Sequence, residues 1–123
     1  VVTRKCNDGS IELGLSRAGE YRATAYSIGK ISLVRKKHWD GNWRIVMFDV
    51  PEKFRRIRNA FRFQMNRLGF IELQKSVFVY PYPCRDEIEY LVKFYHAESF
   101  VRLVVARSID NDNELKKHFG ITT

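Results

Sequence analysis

Apolar positions along this chain change period at definite places. Trp43–Val50 (WRIVMFDV) is a nearly continuous apolar run, the pattern of a strand buried on both faces. Beyond Pro51 the period becomes helical: Phe54, Ile57, Phe61, Met65 and Leu68 recur at spacings of 3, 4, 4 and 3, drawing one stripe along a helix. Pro51 suits the start of that helix, where its missing N–H costs nothing, and Gly69 suits a left-handed end. Phe63 falls opposite the stripe and is expected to meet another chain or the N-terminal segment. Phe70–Leu73 and Lys75–Tyr80 predict two strands with a turn or bulge near Gln74-Lys75, and Pro81-Tyr82-Pro83 stops the second. Arg85–Tyr95 predicts a second helix with Ile88, Leu91, Val92 and Tyr95 inward. Phe100–Ala106 predicts a last strand, and Asp112–Phe119 a short helix ended by Gly120.

The order β-α-β-β-α-β over residues 43–106 predicts an α+β domain of ferredoxin-like pattern. Its two helices are expected on one sheet face, leaving the other to a partner or to flanking segments. Upstream, Val1–Cys6 and Ile11–Leu15 read as a hairpin around Asn7-Asp8-Gly9, followed by a short helix over Arg17–Tyr26 capped by Ser16. Ile28–His38 is a basic linker, and Trp39-Asp-Gly-Asn-Trp43 turns the chain into the main domain. The expected organisation is therefore residues 1–38, a hairpin, helix and linker, and residues 39–123, the ferredoxin-like domain. The chain starts without methionine inside what reads as a strand, so a longer N-terminal part is expected.

Composition supports a folded protein: 45% of the 123 residues are hydrophobic and 17 are aromatic, enough for a real core. The net charge of +8 is uneven. Residues 1–38 hold 8 basic and 3 acidic side chains and residues 39–83 hold 8 and 4, whereas residues 84–123 hold 6 and 7. A basic surface concentrated in one part of a fold points to a polyanion, most often nucleic acid, the alternative being a solvated basic protein with no such partner. Cys6 and Cys84 fit no metal-binding spacing and read as reduced thiols of a cytoplasmic protein. No apolar run approaches the roughly 20 residues that cross a bilayer, so no membrane partner is expected.

The candidate chemistry is concentrated between Asp49 and Arg67. Lys53, Arg55, Arg56, Arg58, Arg62 and Arg67 follow one another without an intervening acid. Arg55, Arg58 and Arg62 lie on one flank of the helix, where three guanidinium groups would follow successive phosphates. Arg44, Lys75 and the cluster at residues 35–37 would extend the footprint. Asp49 ends the apolar strand, and Asp49-Val-Pro-Glu52 has the spacing of a helix cap with an acid three residues on. That local signature accounts for Asp49 without catalysis. His38, His96 and His118 are scattered, and no Walker, dinucleotide or zinc motif is present.

Trp39-Asp-Gly-Asn-Trp-Arg-Ile-Val-Met-Phe-Asp-Val-Pro-Glu, with Leu68-Gly-Phe and Gln74-Lys-Ser-Val-Phe-Val-Tyr-Pro, resembles the central domain of PaaX-type transcriptional repressors. That domain is similar to the small ferredoxin-like endonuclease and adaptation protein of CRISPR systems. The resemblance covers residues 39–119, and residues 1–26 resemble the wing hairpin and last helix of a winged-helix domain. It implies a homodimeric module that holds winged-helix units on DNA and binds phosphates without catalysis or a required cofactor. The alternative it implies is a CRISPR adaptation factor beside an integrase, a Mg²⁺-dependent endonuclease of RNA or DNA. In that case Asp49 matches the strand-end aspartate, two copies of which would hold the metal across a dimer axis.

Overall fold

The computed structural model describes residues 30–33 and 38–122. The predicted N-terminal hairpin and helix, and the 35–37 cluster, lie outside them. The described chain runs through β1 (Trp43–Phe48), α1 (Arg55–Leu68), β2 (Ile71–Gln74), β3 (Val77–Tyr80), α2 (Arg85–Phe94), β4 (Val101–Ala106) and α3 (Asn113–Phe119). The four strands form one sheet in the order β2-β3-β1-β4, and every neighbouring pair is antiparallel. β1, the first of the described strands, therefore lies inside the sheet. The fold is α+β, with the element order and strand order of a ferredoxin-like fold.

Two compact units divide the chain. Leu33–Pro83 with Ser99–Thr123 holds the sheet, α1 and α3, and its core follows from strand alternation. Val46 and Phe48 are buried on one face of β1, opposite Phe78 of β3. Phe48 stacks on Phe78 with centroids 5.7 Å apart and meets Phe61 of α1 edge-on at 5.2 Å. Met65 and Leu68 continue the buried stripe. Each fully buried side chain of this size contributes about 1.5–3 kcal/mol. Gly69 ends α1 with φ at 99°, in the left-handed region.

Cys84–Glu98 belongs to the other unit and contains α2. Asp86 and Glu87 occupy the first turn of α2, where acids complement the helix dipole, and Lys93 occupies the last. Ile88 and Leu91 are buried, while Val92 and Tyr95 are half-buried.

Three expectations need correction. β1 is not buried on both faces: Met47 is 36% exposed and Ile45 is half-buried, on the face opposite Val46 and Phe48. The turn between β2 and β3 falls at Lys75-Ser76, not at Gln74-Lys75, because Gln74 still pairs with Val77 across a bulge after Glu72. Phe54 leaves the α1 stripe and is 39% exposed. It belongs to a 3₁₀ turn, Glu52–Phe54, whose tighter winding of about 3 residues per turn rotates it away from the core.

Candidate nucleic-acid interface

The Trp39–Arg44 motif is a structural knot. Gly41 adopts φ of 90°, which lets the chain reverse between the two tryptophans. Asp40 Oδ1 accepts the Asn42 N–H at 2.9 Å, and the Trp39 indole N–H donates to the Asn42 carbonyl at 2.7 Å. The Arg44 guanidinium donates to both Asp40 carboxylate oxygens at 2.9 and 2.7 Å and to the Pro81 carbonyl at 2.9 Å. That bidentate contact holds the Asp40 carboxyl at about 2, below its ordinary value of 3.8. Trp43 packs between Trp39 and Phe119, with its indole N–H on Asp112 at 3.2 Å. This secures α3 to the start of β1. Arg44 is only 8% exposed and fully committed, so it does not extend the phosphate footprint expected for it.

The basic run on α1 is real, and the fold brings it two acids that lie outside it in the sequence. Arg55 and Arg58 reach the two oxygens of Glu52 at 3.4 and 3.3 Å. Arg55 and Glu52 are 64% and 71% exposed. Ion pairs of this kind are worth about 0–1 kcal/mol, so a phosphate can replace the carboxylate at little cost. Arg56 is exposed and makes no ion pair among the described residues; Lys53 is exposed over the Phe54 ring. Arg67 turns to Gln64 at 2.9 Å. Phe63 stands 64% exposed on the helix, as the position opposite the stripe requires.

Arg62 is held differently. It pairs with Glu72 at 2.9 Å and donates to Ser76 Oγ at 3.4 Å, while Glu72 also accepts the Ser76 N–H at 3.2 Å. Ser76 has φ of 63°, a left-handed conformation costing an L-residue about 1–2 kcal/mol. Arg62 and Glu72 brace that turn, so Arg62 positions the β2–β3 hairpin.

Asp49 does not cap the helix. The N-cap position of the 3₁₀ turn falls at Pro51 and that of α1 at Phe54, with no side-chain cap bond at either. The Asp49 N–H donates to the Phe100 carbonyl at 2.9 Å, and its exposed carboxylate makes no hydrogen bond among the described residues. The Pro51 ring and the early 3₁₀ turn start the helix two residues too late for the predicted cap.

Asp49 instead lines an open cleft of about 280 Å³ where β1 ends and β3 and β4 begin. Lys75, Ser76, Ser99 and Arg102 share that lining. Sequence reasoning included Lys75 but missed Arg102, although a signal was present. Arg102 is the one charged residue in the apolar stretch Phe100–Ala106, and strand alternation points it to the same face as Met47, its cross-strand partner. Among the described residues no three His, Cys, Asp or Glu side chains come together as a metal site. His96 and His118 are exposed, and Cys84 is buried.

An antiparallel ferredoxin-like sheet, a basic helix α1 and an acid at the end of β1 define the class of the module. A family model described as the PaaX protein central Cas2-like domain matches residues 36–117, and the chain belongs to that family. No curated protein and no solved structure matches it. Among the described residues no helix is long and apolar enough to cross a membrane.

Proposed function

We propose that this PaaX-type central domain is the phosphate-binding and dimerisation module of a cytoplasmic transcriptional regulator, acting on duplex DNA without catalysis. The observation that carries the reading is the exposed basic flank of α1. Arg55, Arg56 and Lys53 are exposed and Arg58 is half-buried, and among the described residues the acid paired with this group is the weakly held Glu52. Contacts from such a flank supply affinity and register but no base recognition. The module requires no cofactor for this role. Val104 and Val105 are exposed apolar residues of β4 outside the Asp49 cleft, and a second copy would cover them.

The test is duplex binding by the natural chain and by the variant Arg55→Ala/Arg56→Ala/Arg58→Ala, using several duplexes of unrelated sequence. The expected result is a uniform loss of affinity across all of them. An unchanged affinity, or a loss confined to one sequence, would overturn the reading. Arg62 is left intact because its removal would also loosen the Ser76 turn.

A further inference from the structure

The cleft at Asp49 holds one acidic and two basic side chains that pair with none of the described residues. Asp49, Lys75 and Arg102 make no ion pair or hydrogen bond through their side chains among the described residues. The arginines around the start of α1 are arranged otherwise, since Glu52 partners two of them. Backbone contacts fix the cleft. The Phe48 N–H donates to the Ser76 carbonyl at 3.1 Å, and the Asp49 N–H to the Phe100 carbonyl at 2.9 Å, which ties three strand ends together. Arg102 projects beside Met47, and Asp49 follows two residues after Met47 on the same side of β1.

The family's likeness to a metal-dependent nuclease implies a divalent cation here, and the donor set does not fit one. Mg²⁺ requires oxygen ligands and negative charge. This cleft supplies one carboxylate against two cations. A second copy would bring a second Lys75 and Arg102 together with its Asp49, so the ratio would not improve. An ammonium and a guanidinium beside two hydroxyls, Ser76 and Ser99, are instead the groups that take a phosphate.

We propose that the Asp49 cleft is an anion subsite for a nucleic-acid phosphodiester, with Lys75 and Arg102 as its cationic contacts and Asp49 as a charge that weakens binding. This inference rests on the phosphate-binding reading of α1 and extends its footprint to the sheet. It also fixes the sign of an Asp49 substitution, which the two accounts of the cleft predict oppositely. At a separation of roughly 7 Å, the ordinary diagonal spacing on a sheet face, neutralising one charge in water changes binding by about two- to threefold.

The experiment measures duplex affinity for the natural chain, Asp49→Asn, Lys75→Ala/Arg102→Ala and the α1 triple variant, each with and without Mg²⁺ at constant ionic strength. Asp49→Asn is expected to bind about two- to threefold tighter, a gain that misfolding cannot produce. Lys75→Ala/Arg102→Ala is expected to bind more weakly, with the salt slope reduced by about 0.9 per lost contact. Weaker binding by Asp49→Asn, or loss of a Mg²⁺-dependent gain in that variant, would overturn the anion subsite. So would unchanged binding by Lys75→Ala/Arg102→Ala while the α1 variant loses affinity, a pattern that leaves the α1 reading standing. If the natural chain does not bind duplex at all, both readings fall.

Discussion

Asp49 has a fixed backbone and an unrestrained side chain. Its N–H closes the end of β1 onto Phe100, while the carboxylate lines the open cleft and accepts no hydrogen bond among the described residues. Asp49→Ala is therefore expected to leave stability within about 0.5 kcal/mol of the natural chain, as for other uncommitted surface positions. Urea denaturation checks this, and a loss near 1 kcal/mol, the usual cost of a removed N-cap, would restore the capping role. The sequence suggested a cap because acid-x-x-acid spacing before a helix is the ordinary signature. It could not show that Pro51 would begin a 3₁₀ turn and move the N-terminus beyond the aspartate's reach. Arg102 was legible as a lone charge in an apolar strand, yet its proximity to Lys75 depends on sheet order, which periodicity does not encode.

The Trp39–Arg44 segment explains why those residues carry so much of the family resemblance without belonging to the phosphate surface. Asp40 and Arg44 brace a reversal that ends on the Pro81 carbonyl, joining the entry to β1 to the exit from β3. Because the Asp40 carboxyl is depressed to about 2 by Arg44, the stability it lends is present above the ordinary 3.8 and lost as pH falls through about 2. Asp40→Asn should lack that part of the pH dependence. In denaturation series between pH 4 and 2 the natural chain is expected to lose stability more steeply than the variant, and parallel curves would contradict the clamp. The strands and helices were largely readable from their periods. The β2–β3 turn was misplaced by one residue because Ser76 holds a left-handed conformation that glycine or asparagine would normally advertise. Its support comes from Arg62 and Glu72, which are distant in sequence.

Across the whole molecule the basic excess divides into committed and available charge. Arg44 and Arg62 are occupied by Asp40 and Glu72, whereas the start of α1 and the Asp49 cleft present cations that a phosphate can claim. The sequence showed the excess but could not assign all of it, because Glu72 reaches Arg62 only through the fold, whereas Glu52 stands three residues before Arg55. The exposed apolar residues of the sheet belong to the same scale. If a second copy covers Val104 and Val105, Val104→Glu/Val105→Glu should sediment as a monomer where the natural chain sediments as a dimer. Equal sedimentation of the two would remove β4 as the interface.

The most direct measurement of the central claim is the salt dependence of duplex binding. A plot of log affinity against log salt is expected to fall steeply for the natural chain. Arg55→Ala/Arg56→Ala/Arg58→Ala should flatten it by about 0.9 for each phosphate contact removed. The same slope in both proteins would contradict the account, because the exposed flank of α1 would then be a solvated surface and no DNA interface.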